Sequence, residues 1–97
     1  MTTEKNAAAE ERIRQLLHTL GKAYLERRQF AEAYAKLSQL LQLDPDNAEV
    51  LEETALAAIG SRDVSATALA LYEKAVAAQP NAEHLLTALA TLFSTHQ

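Results

Sequence analysis

A chain of 97 residues with a net charge of −4 and no cysteine holds one small domain and leaves several classes of function out. The acidic balance argues against nonspecific nucleic-acid binding and against docking on an anionic membrane surface, both of which need a basic footprint. Without cysteine there is no disulfide framework, thiolate metal site or cysteine nucleophile, and no apolar run approaches the ~20 residues that span a bilayer.

The start, Met1 to Asn6, is polar and leads into no apolar segment of signal type, so the expectation is a cytoplasmic protein. Two Gly, two Pro and few β-branched residues leave a chain dominated by Ala, Leu, Glu, Lys, Gln and Arg. These lose little entropy in a helix, and the predicted fold class is all-α. Residues 1–9, with their alanine run at 7–9, read as a partly helical lead-in to one domain over 10–97.

In the first segment Ile13, Leu16, Leu17, Leu20 and Tyr24 fall at helical spacing and form one apolar stripe. It pauses at Arg27-Arg28-Gln29, where two cations complement the negative end of the helix dipole. A second stripe, Phe30, Ala33, Tyr34, Leu37, Leu40 and Leu41, stops at Asp44-Pro45. Asp46 or Asn47 then caps a third helix, with Glu49 three residues after Asp46 as in a capping box. This helix carries Val50, Leu51, Ala55, Ala58 and Ile59. Gly60-Ser61-Arg62-Asp63 is loop-like. The fourth helix holds Val64, Ala68, Leu71, Tyr72, Ala75 and Val76 and ends at Gln79-Pro80. Asn81 caps a fifth, with Leu85, Ala88, Leu89, Leu92 and Phe93. Connections this short make successive helices antiparallel neighbours.

Pro45 and Pro80 stand 35 residues apart, and a helix–turn–helix period near 34 is diagnostic of a solenoid. Within residues 14–47, Leu17, Leu20-Gly21, Tyr24, Ala33, Leu37, Leu40 and Asp44-Pro45 stand at fixed offsets. Small residues at Gly21 and Ala33 let two helices cross closely. In this pattern the chain resembles the tetratricopeptide repeat family. Residues 48–81 resemble the same unit less perfectly, through Leu51, Thr54-Ala55, Ala58, Ala68, Tyr72, Ala75 and Pro80. Residues 82–97 resemble a first helix alone, a half unit or capping helix. The resemblance implies about five helices, paired in antiparallel hairpins and stacked as a short right-handed solenoid.

It further implies a protein-interaction module, not an enzyme, whose first helices line a concave groove for a peptide or helix. Carried over by position, the groove residues are Gln15, His18, Lys22, Leu25 and Glu26 from unit one and Glu49, Glu52, Glu53, Leu56 and Ile59 from unit two. The half unit adds Glu83, Leu86, Ala90 and Phe93. Lys22 is the one cation among these, and Glu53 and Glu83 stand where a carboxylate clamp needs Asn and Lys, so a chaperone-tail clamp is not expected. An acidic middle beside an apolar wall suits a partner with basic and apolar side chains; Glu49, Glu52 and Glu53 equally suit the positive end of their helix. His18 reads as solvated or peptide-contacting.

Leu86, Leu89, Leu92 and Phe93 spread over a wide arc of the last helix. They mark a possible assembly surface through which the chain forms a homo-oligomer, unless that helix is an ordinary terminal cap. A regulatory piece of a larger protein of the family is the remaining alternative. No catalytic grouping, cofactor motif or metal-ligand spacing is found: His18, His84 and His96 lack the i, i+4 or Cys/His spacing of a metal site. Arg12, Arg14, Arg27 and Arg28 read as partners of the many glutamates.

Overall fold

The computed structural model describes residues 3–95, with side chains from 7 to 94. Among the described residues the chain is all α: α1 Thr3–Glu26, α2 Phe30–Leu43, α3 Ala48–Gly60, α4 Ala66–Ala78 and α5 Glu83–Thr95. Neighbouring helices pack as antiparallel hairpins, α1 on α2 and α3 on α4, with α2 against α3 and α5 against α3. The resulting body measures 55 × 26 × 23 Å. No described helix is long and apolar enough to cross a membrane.

Glycine and alanine set the helix spacing. A Cβ built on Gly21 would lie 2.5 Å from Leu37 Cδ2, and Leu37 and Ala33 are fully buried. Gly60 is not a loop residue: it is the last residue of α3 and a Cβ there would overlap the Phe30 ring. The close approach of backbone to ring, not a turn, accounts for glycine at this position.

Both hairpins turn in the same way. Gln29 N–H donates to Tyr24 C=O at 2.8 Å and Arg28 N–H to Leu25 C=O at 3.0 Å; Asp63 and Arg62 repeat the pair onto Ala58 and Ile59. This is a Schellman closure. The residue that must be left-handed is an arginine each time, at φ 61° for Arg28 and φ 60° for Arg62, where glycine is the usual occupant. The two turns lie 34 residues apart.

The turns between units also repeat. Asp44 N–H donates to Leu40 C=O and Asn47 N–H to Asp44 C=O; Gln79 and Ala82 make the same two bonds, to Ala75 and Gln79. Asn47 caps α3, its side-chain oxygen accepting from Glu49 N at 3.0 Å and Val50 N at 3.2 Å, so Asn47 and not Asp46 holds that place. Its counterpart 35 residues later is Ala82, whose carbonyl accepts from Leu86 N. Asn81 therefore stands one residue too early to be the residue next to α5. The extra residue lies in the α3–α4 connection. There Val64 is outside α4 and exposed, while Ser65 caps α4 by accepting from Ala68 N at 3.2 Å.

Two buried clusters form the core. One joins Leu17, Ala33, Leu37, Leu40, Val50 and Ala57; the other joins Leu51, Ala55, Ala58, Ala68, Tyr72 and Ala75 to Leu85, Leu89 and Leu92 of α5. Tyr34 and Leu41 pack against both and so link the units. Thr54 is buried without penalty because its hydroxyl donates to Val50 C=O at 2.6 Å. Tyr72 donates its phenolic proton to Asp63 C=O at 2.5 Å. Burial, with the nearby Asp63 charge, pushes the Tyr72 hydroxyl up to about 12. The first stripe is shorter than its spacing predicts: Ile13 and Leu16 are 50% and 60% exposed. They lie off the face that α2 and α3 cover, and the inner stripe begins at Leu17.

Candidate partner-binding groove

The faces of α1, α3 and α5 that lie side by side form an open groove of about 530 Å³. Leu25 and Glu26 of α1 and Leu56 and Ile59 of α3 line it. The structure adds Arg28, Phe30 and Gly60 at the end where the hairpins turn. From α5 it adds His84 and Ala88, and Thr91 lines the adjoining recess beside Arg62.

This corrects the expectation for α5. Glu83, Leu86, Ala90 and Phe93 do not line the groove, because α5 stands one residue later in the period than a 34-residue second unit would put it. His84, Ala88 and Thr91 are the true counterparts of Glu49, Glu53 and Leu56, at a spacing of 35. The doubled turn at Asp44–Asn47 and Gln79–Ala82 was the signal: Pro45 and Pro80 already stand 35 apart.

Beyond the residues that line the groove, α3 carries three acidic residues near its start. Glu49 is exposed, while Glu52 and Glu53 are half-buried. His18 Nε2 lies 2.6 Å from Glu53 Oε1, so His18 is held by α3 and is not simply solvated. Burial raises the Glu53 carboxyl above its ordinary value, against the bond and charge of His18, with Glu49 adding to the rise and Lys22 opposing it. Lys22 and Gln15 are exposed, and Gln15 donates to Glu11 at 3.3 Å. Arg14 pairs with Glu11 at 3.1 Å, the charge pairing expected of it. Between Gln15, His18, Asp44 and Asn47 lies a smaller recess of about 180 Å³.

Among the described residues, one atom each of His18, Glu49 and Glu53 lie within 4.8 Å of one another. An imidazole and two carboxylates are donors a transition metal accepts. No spacing motif reveals the group, because its members come from two helices a full period apart. The His18–Glu53 bond accounts for two of the three.

The proposed assembly residues divide. Leu89 and Leu92 are buried in the core, whereas Leu86 is 42% and Phe93 43% exposed. Phe93 lies on the outer side of α5 and, with Leu69, Tyr72, Glu73, Val76 and Ala77 of α4, lines a largely apolar cleft of about 580 Å³ that reaches down to Leu89.

The paired helices, the small residues at their crossing and the turn after Pro45 coincide with a match to the tetratricopeptide repeat family model over residues 14–47. That segment is a tetratricopeptide repeat. It spans α1 from Arg14, the whole of α2 and the turn to α3. The second hairpin copies its closure, its buried alanine and its terminal turn. No curated protein and no solved structure matches the chain. A repeat of this family suggests a protein-interaction module in general.

Proposed function

We propose that the chain is an adaptor or scaffold that binds an extended peptide or a helix of another protein along the α1–α3–α5 groove. The observation that carries this is an apolar recess beside acidic residues of the same helix: Leu25, Phe30, Leu56 and Ile59 line the recess, and Glu49, Glu52 and Glu53 stand near the start of α3. A ligand with apolar side chains followed by basic ones matches both, its charges steering encounter and fixing register. Arg28 in the recess places a cation where the ligand's own acidic group or carboxyl terminus is accepted. Glu52 is better suited to contact a ligand than Glu53, whose carboxylate is engaged by His18. The chain's acidic balance and lack of cysteine suit work in the cytoplasm.

Selection from a displayed peptide library tests this. Ligands rich in Lys, Arg and apolar residues are expected, and Glu52→Lys should weaken them at least about tenfold, the scale of one close charge pair. Unchanged affinity in Glu52→Lys and Glu49→Lys would remove the acidic residues from the account.

A further inference from the structure

His18, Glu49 and Glu53 come from two helices and meet in one place. Glu49 and Glu53 stand four residues apart in α3, a spacing that puts both carboxylates on one face of the helix. His18 belongs to α1 and reaches the same place from the neighbouring unit, its Nε2 lying 2.6 Å from Glu53 Oε1. One donor atom from each of the three lies within 4.8 Å of the other two.

The helix dipole does not explain this group. Its attraction for acidic residues fades within the first turn. Because α3 begins at Ala48, Glu49 is inside that turn and Glu53 beyond it. Glu53 is also withdrawn from water: its side chain is 14% exposed and that of His18 29%. A carboxylate in such a place needs a cationic partner or a hydrogen-bond donor, and the His18 bond supplies one to Glu53 alone. Glu49 brings a second negative charge close enough to act on Glu53. A divalent cation among the three would satisfy both carboxylates at once.

We infer that His18, Glu49 and Glu53 form a binding site for a divalent transition-metal ion of the zinc type. One imidazole nitrogen with two carboxylate oxygens is a donor set that zinc accepts, whereas calcium and magnesium favour oxygen donors alone. Bonds of about 2.1 Å in a tetrahedron set the donors about 3.4 Å apart. The contact of 2.6 Å must open to that separation, and no pair within 4.8 Å has to close by more than about 1.4 Å. Side-chain rotation covers both adjustments. The proton in the His18–Glu53 bond leaves to solvent as the ion takes its place. A fourth position remains for water, on the solvent side where Glu49 is exposed. Bound there, the ion joins the first helices of the two units. Lys22, whose charge also acts on Glu53, opposes it.

The test titrates the full chain, stripped of metal by a chelator, with zinc chloride alone, followed by calorimetry and by the ring signals of the labelled histidines. One zinc per chain is expected, bound more tightly than about 10 µM, with the ring of His18 shifted and that of His84 unmoved. Glu49→Gln keeps the fold, because Glu49 is exposed and the His18–Glu53 bond stays in place. It should weaken zinc at least about tenfold, the least that even an outer-shell change costs a metal site. Lys22→Gln should tighten it, and magnesium at about 1 mM should not compete. No heat or ring shift up to about 1 mM zinc, or affinity unchanged in Glu49→Gln, would overturn the inference. So would a response at His84 in place of His18, or one ion shared between two chains.

Discussion

Gly21→Ala tests the packing that defines the unit. Alanine is worth about 1 kcal/mol more than glycine inside a helix, so an exposed site would gain stability. Gly21 is buried, and the new methyl would stand 2.5 Å from Leu37 Cδ2 and 2.6 Å from Cγ, inside any real contact distance. Leu37 is fully buried, so overpacking should cost about 1–3 kcal/mol. The net expectation is a loss of up to about 2 kcal/mol, read by urea unfolding followed by circular dichroism. The decisive step is a double-mutant cycle. Leu37→Ala alone should cost about 2–5 kcal/mol, but in that background the methyl has room and Gly21→Ala should become stabilising by about 1 kcal/mol. A stabilised single mutant, or the same effect in both backgrounds, would refute the close-crossing argument.

Arg28→Gly should stabilise the chain by about 0.5–1 kcal/mol, because relief of the left-handed arginine exceeds the added freedom of the unfolded glycine; a lowered Tm would contradict it. Ala82→Ser supplies α5 with the cap that Asn47 gives α3, and should add about 1 kcal/mol and slow amide exchange in the first turn of α5. The Glu53 carboxyl is raised by burial, so the folded chain keeps a proton there that the unfolded chain releases near its ordinary 4.5. Stability from that proton is present below pH 4.5 and falls as pH rises through the folded value. Glu53→Gln, whose side-chain oxygen still accepts from His18, should therefore gain on the wild type as pH is raised from 4 to 7. A gap in Tm that stays constant or closes over that range would sink the assignment.

The helices, their order and the two prolines that end them were legible because apolar spacing and backbone chemistry act locally. Gly21 and Ala33 could be read as crossing residues because their neighbours fixed the unit. Gly60 could not, since what it packs against, Phe30, lies 30 residues earlier. Of the groove residues expected on α1 and α3, Leu25, Glu26, Leu56 and Ile59 line the recess, but α5 was placed one residue early. The extra residue between α3 and α4 shifts the period by one, and one residue of register is about 100° around α5, which puts Phe93 in the outer cleft and not in the groove. The exposure of Ile13 and Leu16 and the bond between His18 and Glu53 depend on which helix faces are covered. Periodicity alone does not carry that information.

The most direct test of the account is an amide-shift map of the labelled chain with a groove ligand selected from the peptide library. The account predicts shifts running from Glu49 and Glu52 through Leu56 and Ile59 to Leu25, His84 and Ala88, abolished by Glu52→Lys together with Ile59→Asp. Shifts confined to the convex surface of α2 and α4, with those substitutions without effect, would contradict it.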